Sequence, residues 1–165
     1  MALEPAITDL EQLKDRPELG RLLAWNAGAV QGAKFDRNEL SITIERTFLR
    51  DACTTLKNDP ELNFDSLADL TCVDWNPNDP RFEVIYHLFS TVTKKRVRLK
   101  VRLSDADARV DSLTPVWPGA DYFEREVFDL FGVRFQEHPN LKRIMMPDNW
   151  EGHPLRKDYP VEGYR

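Results

Sequence analysis

Two glutamates beside an apolar run are the residues of this sequence whose types and spacing could do chemistry. Glu124 and Glu126 flank Arg125 at the start of the stretch EREVFDLFGV, which spans residues 124 to 133. Carboxylates this close in sequence serve as an acid and base pair in hydrolases, as metal ligands, or as ion-pair partners in a contact between proteins. These three interpretations require different geometry, so the element that carries the glutamates decides between them.

A helix over about residues 119 to 131 is predicted to carry both glutamates, and Gly132 follows where a left-handed C-cap is expected. Its apolar arc is formed by Phe123, Val127, Leu130 and Phe131. At about 100° per residue, the two glutamates lie roughly 160° apart, on the two shoulders of this arc. They do not converge on one bond, as a two-carboxylate hydrolase requires. We therefore expect two partly buried anions, each paired with its own cation, because an unpaired buried charge is costly.

The face of the helix opposite the apolar arc is predicted to be a solvated surface. Asp121, Arg125 and Asp129 lie on it, so Arg125 has one carboxylate four residues before it and another four residues after it. Such pairs stabilise a helix by about 0.2–0.5 kcal/mol each. We expect ordinary surface ion pairs here.

The C-terminal segment is predicted to be extended and to lie against protein. Residues 138 to 165 contain four prolines, which exclude a long helix. The segment is too rich in large apolar groups for a disordered polar tail. These groups are Leu141, Ile144, Met145, Met146, Trp150, Leu155 and Tyr159, and the cations among them are Lys142, Arg143, Arg156, Lys157 and Arg165. The segment either packs on its own domain or extends over a neighbouring subunit with Trp150 and the arginines as anchors, and we favour the second.

Two histidines keep a metal site open as an alternative. His138-Pro139 and His153-Pro154 can be combined with Glu126 or Glu137 as ligands. A metal-dependent hydrolase would use Glu124, Glu126, His138 and His153. Histidines 15 residues apart without ligand-type spacing are more often turn residues, which is the interpretation we favour.

The rest of the chain predicts an α+β domain with a mainly antiparallel sheet flanked by helices. A helix runs from Pro17 to about Trp25, a strand covers residues 40 to 44, and a second helix ends at Asp59-Pro60. Strand patterns follow at 67 to 75, 81 to 92 and 95 to 103, with connections short enough for antiparallel pairing. We expect a globular domain over residues 1–135 and an extended, proline-rich partner-binding tail over residues 136–165.

The last of these strands alternates apolar and basic residues. Val97, Leu99, Val101 and Leu103 face one way, whereas Arg96, Arg98, Lys100 and Arg102 face the other. The basic side is either a solvated strand face, which we favour, or a ridge that meets an acidic partner surface in a salt-sensitive contact. In the preceding strand, covered on both faces, His87 is expected to be packed and hydrogen-bonded rather than a metal ligand.

Composition excludes several classes of function. The chain has 28 acidic and 23 basic residues, a net charge of −5, which argues against nucleic acid as the main partner. Its two cysteines, without a Cys-x-x-Cys pair, do not supply ligands for an iron–sulfur cluster or a structural zinc ion. The N-terminal residues lack the features of a signal or transit peptide, and no apolar run spans a bilayer. We expect a cytosolic chain that reaches a membrane only through partners.

The two motif segments together resemble a known family. EREVFDLFGVRFQEHPNLKRIMMP followed by DNWEGHPLRKDYP is similar to the signature of the 30 kDa subunit family of respiratory complex I, the C subunits of NADH-quinone oxidoreductase. The first part of the signature falls on Glu124, Arg125, Glu126, Asp129, His138, Pro139, Lys142, Arg143 and Ile144. It continues over Trp150, Gly152, His153, Pro154, Leu155, Arg156, Lys157, Asp158 and Tyr159.

The resemblance implies a structural subunit without a redox group or catalytic residue of its own. It would lie in the peripheral arm, on the cytoplasmic side of the bacterial inner membrane, packed chiefly on the D subunit of the complex. The complex would use FMN, iron–sulfur clusters, NADH and quinone, and would couple electron transfer to proton transport. A scaffold subunit of a ferredoxin-, F420H2- or hydrogenase-linked membrane complex remains an alternative. Glu124 and Glu126 would form buried ion pairs with cations of the tail or of a partner.

Overall fold

The structure of the chain is a computed structural model. The part of the chain that it describes contains both helices and strands. This part is residues 5–163, so Arg165 of the predicted tail lies outside the described residues. The helices are α1 (Leu10–Leu13), α2 (Pro17–Asn26), α3 (Leu49–Asn58) and α4 (Ala120–Phe131). The strands are β1 (Val30–Asp36), β2 (Glu39–Ile44), β3 (Ser66–Asp74), β4 (Phe82–Phe89), β5 (Arg96–Leu103), β6 (Arg109–Asp111) and β7 (Arg134–Gln136).

Five strands form one sheet in the order β1-β2-β5-β4-β3. The pairs β1–β2, β5–β4 and β4–β3 are antiparallel, and β2–β5 is parallel. The chain leaves β2 through α3 and returns on the far side of the sheet, and a connection through a helix permits parallel pairing. The predicted α+β class with a mainly antiparallel sheet is confirmed.

The core lies where the strands turn their apolar sides toward the helices. Alternate residues of β4 and β5 are buried, as the sequence pattern predicts: Phe82, Val84, Tyr86, Leu88, Val97, Leu99, Val101 and Leu103. Leu49, Ala52, Cys53 and Leu56 form the buried side of α3. The predicted cover on both faces of β4 is only partial on the second face, where Ile85, His87 and Phe89 are half-buried.

The last strand leads into the C-terminal segment. β7 pairs with β6 in a parallel two-stranded sheet, so the predicted domain boundary at residue 135 falls inside a strand. Residues 137 to 163 then form bends and turns without a helix or strand. We call residues 138–163 the tail.

Candidate functional site

Gly132 joins α4 to the segment that carries the rest of the motif. It ends the helix in the left-handed conformation, with φ 77°, and its N–H donates to the carbonyl of Phe128 at 2.9 Å. A Cβ atom at this position would lie 2.6 Å from two ring atoms of His153 and 2.7 Å from Nη2 of Arg156. Glycine is therefore required both by the backbone conformation and by the approach of the tail.

Glu124 is fully buried and hydrogen-bonded to neutral groups. Its carboxylate accepts from the Ser112 hydroxyl at 2.7 Å and from the Leu113 N–H at 2.6 Å. Burial raises the pKa of Glu124 to about 7, although both hydrogen bonds act in the opposite direction. Glu124 forms no ion pair with a lysine or arginine of residues 5–163, and the tail residue that lies near it is His138, with Nε2 3.9 Å away.

The side chain of His138 is buried at the N-terminal end of α4. Its Nδ1 accepts from the Asn140 N–H at 3.0 Å, which leaves the proton of a neutral ring on Nε2. Nε2 lies 3.3 Å from the carbonyl oxygen and 3.3 Å from Oδ1 of Asp121. These contacts fix the turn that begins the tail.

Asp129 is fully buried, so the prediction of a surface residue is wrong. Its carboxylate accepts from Arg143 at 2.6 Å. The three successive N–H groups of Ile144, Met145 and Met146 donate to its other oxygen at 2.8–3.0 Å. Burial acts to raise the pKa of Asp129, but these hydrogen bonds outweigh it and hold the pKa below its ordinary value. The helix thus binds the tail backbone through one charged side chain.

Arg125 also binds the tail instead of forming the predicted pairs within α4. It donates to the carbonyls of Lys142 and Arg143, both at 3.2 Å. Arg143 in turn donates to the carbonyl of Gly152 at 3.0 Å. Arg125, Asp129 and Arg143 therefore form one network that fixes residues 142–146.

The second half of the tail satisfies the last carbonyl groups of α4. His153 Nδ1 lies 2.9 Å from the Asp129 carbonyl, the Leu155 N–H donates to Leu130 at 3.0 Å, and Arg156 Nε donates to Phe131 at 2.6 Å. These carbonyls have no partner inside the helix and need one where water is excluded. Burial lowers the pKa of His153.

A second charged cluster attaches the tail to the ends of β3 and β4, and sequence reasoning missed it. The buried guanidinium of Arg81 pairs with Asp74 at 2.9 Å, Asp105 at 2.9 Å and Asp158 at 2.7 Å. The hydrogen bonds from Arg81 hold the pKa of Asp74 far below its usual range. Lys157 adds a backbone N–H to Asp74 at 2.8 Å. A single arginine before an apolar strand gives no sequence signal for this role.

Several predicted site residues are left facing outward. The side chain of Glu126 is exposed and makes no hydrogen bond or ion pair with residues 5–163, so the expectation that it is partly buried is wrong for this chain alone. Pro139 and Lys142 are exposed, and Tyr159 is half-buried near the Glu151 carbonyl. The exposed apolar side chains of the tail also include those of Ile144, Met145, Trp150 and Leu155. We call these four the tail surface.

The proposed metal ligands do not come together as one set, because Glu124 lies near His138 but His153 lies at the other end of α4. His138 contacts Asp121 and His153 contacts Asp129, and eight residues of helix separate these positions by about 12 Å along the axis. Across residues 5–163, no three His, Cys, Asp or Glu side chains are grouped as they would be around a metal ion. In the same part of the chain, no helix is both long and apolar enough to cross a membrane.

Comparison with solved structures gives the class of protein. The fold matches a chain titled Nqo5, the trypsin-resistant fragment (1-134), with a TM-score of 0.64 and 28% identity over 75% of this chain and 99% of that one. It also matches a chain of the membrane-bound sulfane sulfur reductase, an archaeal respiratory membrane complex, with a TM-score of 0.72 and 28% identity over 87% of this chain and 85% of that one. The fold is therefore shared with subunits of respiratory complexes.

Sequence comparison then gives the family. The chain belongs to the family described as respiratory-chain NADH dehydrogenase, 30 Kd subunit, whose sequence model matches residues 42–165. It is 47% identical over 143 residues to the C subunit of NADH-quinone oxidoreductase from Roseiflexus sp. (strain RS-1), covering 87% of this chain and 82% of the relative. The C subunit from Geobacter sulfurreducens is 44% identical over 138 residues, covering 83% and 84%. The resemblance found in the motif is confirmed.

Proposed function

We propose that this chain is a non-redox structural subunit of the peripheral arm of NADH-quinone oxidoreductase. In this role it packs on the D subunit and supports electron transfer from NADH to quinone without holding FMN or an iron–sulfur cluster itself. It would lie on the cytoplasmic side of the inner membrane and be attached there through its partners. Membership of the family supports the assignment to this complex, and the structure of the tail supports attachment to a partner subunit through the tail.

The observation that carries the proposal is that the tail surface is exposed while its backbone is held in place. Met145 is 63% exposed and Leu155 is 52% exposed, yet their N–H groups bond to Asp129 and to the Leu130 carbonyl. A segment that is already ordered loses less conformational entropy when it binds. The apolar side chains of the tail surface are thus presented to a partner in fixed positions.

Co-purification tests this proposal. The D subunit is tagged and captured from membranes, and the amount of this chain that it carries is measured. Changing Met145→Ser and Leu155→Ser together should lower recovery at least tenfold, because burying a side chain of this size contributes about 1.5–3 kcal/mol. Val92→Ser, at a residue 68% exposed in the turn between β4 and β5, is the matched control.

Two results would contradict the proposal, one in part and one as a whole. The paired serine variant should unfold at the same urea concentration as the unmodified chain, since the changed side chains are exposed in the isolated protein. Full recovery of that variant with the D subunit would contradict the role of the tail surface. Failure of the unmodified chain to co-purify with any subunit of NADH-quinone oxidoreductase would contradict the proposal as a whole.

A second candidate is the equivalent scaffold role in a related membrane complex. The fold match with a chain of the membrane-bound sulfane sulfur reductase, at a TM-score of 0.72 over 87% of this chain, supports it, because that chain comes from a different respiratory membrane complex. Mass spectrometry of the captured complex separates the candidates. A subunit that binds NADH and FMN favours the first, and a ferredoxin-, F420H2- or hydrogen-dependent module favours the second.

A further inference from the structure

A recess of about 880 Å³ lies at one end of the five-stranded sheet, on a part of the chain that the proposed function does not use. It is bordered by the β1–β2 turn, the β4–β5 turn and the start of α2. Six cations line it: Arg16, Arg37, Lys94, Lys95, Arg96 and Arg98. Three carboxylates, those of Glu18, Glu39 and Asp69, are also present. We call this the basic recess, and its excess of positive charge contrasts with a net charge of −5 for the chain.

Most of the cations in the basic recess are not neutralised by the chain itself. Arg98 pairs with Glu39, and Lys95 Nζ lies 3.7 Å from the Glu18 carboxylate. The other four form no ion pair within the part of the chain that the structure describes; they are Arg16, Arg37, Lys94 and Arg96. The recess therefore keeps unused positive charge and free N–H donors.

Two of these four cations are held over aromatic rings. The Arg16 guanidinium carbon lies 3.3 Å from the centre of the Phe35 ring, and that of Arg96 lies 5.5 Å from the centre of the Phe89 ring. A guanidinium group placed in this way keeps donors at its edge available for a carboxylate. The aromatic rings thus order the two side chains without satisfying their hydrogen-bonding capacity.

The other two cations stand in turns with unusual backbone. Arg37 has a φ of 50° and Lys94 has a φ of 58°, in the left-handed region that glycine and asparagine adopt most readily. A residue other than glycine at such a position strains the backbone. In both turns this conformation coincides with a charge at the border of the basic recess.

We propose that the basic recess binds a carboxylate-rich segment of another subunit of the same complex. Arginine binds carboxylates through paired N–H donors, and several unpaired cations in one concave surface make the contact stronger and more specific. Glu18, Glu39 and Asp69 stand among the cations, so a uniformly charged phosphate backbone or anionic membrane would meet repulsion at three points. A peptide can place N–H groups opposite these carboxylates and its own carboxylates opposite the cations.

The pKa of His87 reports whether the basic recess is occupied. His87 lies in the recess, opposite Arg98 on β5 and Asp69 on β3. Burial lowers the pKa of His87, Arg98 and Arg96 lower it further, and Asp69 and Glu39 raise it. Carboxylates brought into the recess will raise it, since an adjacent anion favours the charged ring.

The test uses the assembled complex and rests on the proposed function for its partner. The complex is captured through the D subunit and washed at increasing NaCl, from about 50 to 500 mM, across the range in which surface charges become screened. Reversal of two cations, Arg37→Glu with Arg96→Glu, should release the chain at a several-fold lower salt concentration. Arg134→Glu, at an exposed arginine of β7 outside the recess, should not. Urea unfolding of the isolated variants confirms that each is folded.

A second measurement follows the three histidines of the isolated full chain by NMR while an octaglutamate peptide is added. Adding the peptide should raise the pKa of His87 in the unmodified chain and leave it unchanged in the double reversal. Equal salt release of the double reversal and the unmodified chain overturns the proposal. So does recess-dependent sedimentation with phosphatidylserine vesicles in place of peptide binding. A chain that is never captured with the D subunit at any salt concentration instead contradicts the proposed function.

Discussion

At the scale of single residues, the motif glutamates and aspartate differ in burial and in their partners. Glu124 is buried among neutral donors, Asp129 is buried against Arg143 and three N–H groups, and Glu126 is exposed. Helical periodicity correctly placed Glu124 at the edge of the apolar arc. It could not reveal the burial of Asp129, because the tail that covers this residue begins nine residues later in the sequence. A single sequence shows which face of a helix is apolar, but not what later packs on the polar face.

The raised pKa of Glu124 predicts a specific dependence of stability on pH. The carboxyl has a pKa of about 7 in the folded chain against an ordinary value of 4.5, so the folded state binds its proton more tightly. Its contribution to stability is therefore complete below about pH 4.5 and is lost as the pH rises through about 7. Glu124→Gln removes this contribution.

Urea unfolding at pH 5 and pH 8 measures the effect. The free energy of unfolding of the unmodified chain, relative to Glu124→Gln, should fall by about 1–3 kcal/mol between the two pH values. Glu126→Gln is the control, because an exposed carboxylate should show no such difference. A constant difference between the chain and Glu124→Gln at both pH values would contradict the assignment.

Asp129 predicts a local effect on the tail. Asp129→Asn removes the charge that faces Arg143 and weakens the acceptor for the N–H groups of Ile144, Met145 and Met146. We expect the free energy of unfolding to fall by about 2–3 kcal/mol, less than for a fully buried ion pair because Arg143 retains some exposure. Hydrogen exchange at residues 144–146 should accelerate more than in the core strands. Asp148→Asn, at an exposed aspartate of the tail, should leave both quantities unchanged.

At the scale of elements, the helices were predicted more accurately than the connections between them. α2 and α4 begin and end within a residue or two of the predicted bounds, and α3 ends just before Asp59-Pro60 as predicted, because proline, glycine and apolar periodicity act locally. β1 was not predicted as a full strand, since VQGAKFD does not alternate and the Arg37-Asn38 turn lacks the glycine usual in such turns. The Arg81 cluster joins residues up to 83 positions apart, a separation that no local pattern reports.

The junction between α4 and the tail predicts that Gly132 cannot be replaced. Gly132→Ala places a methyl group within 2.7 Å of His153 and Arg156 and strains a backbone at φ 77°. We expect a loss of more than about 1 kcal/mol in the free energy of unfolding, with faster trypsin cleavage in the tail. Gly119→Ala is the matched control, because φ is −65° there and a Cβ atom meets nothing within 4 Å. Similar stability of the two alanine variants would show that the tail does not press on Gly132.

At the scale of the whole molecule, polar contacts hold the tail while many of its apolar groups stay exposed. Asp129 and Arg81 anchor its two halves, and the tail surface and Glu126 lie outside these anchors. The sequence analysis offered two alternatives for the tail, packing on its own domain or extending over a neighbouring subunit, and these are compatible with each other. The backbone of the tail is bound to its own domain, and the tail surface is available to a partner.

Glu126 allows stability of the chain to be separated from assembly of the complex. Because its side chain is exposed and makes no hydrogen bond or ion pair with residues 5–163, Glu126→Ala should change the free energy of unfolding by less than about 0.5 kcal/mol. If a cation of the partner pairs with it in a contact that excludes water, the same change should weaken binding by about 2–5 kcal/mol. The chain recovered with the tagged D subunit should then fall by at least tenfold. Glu11→Ala, at an exposed glutamate of α1, should leave recovery unchanged, and equal recovery of the two variants would show that Glu126 does not contact a partner.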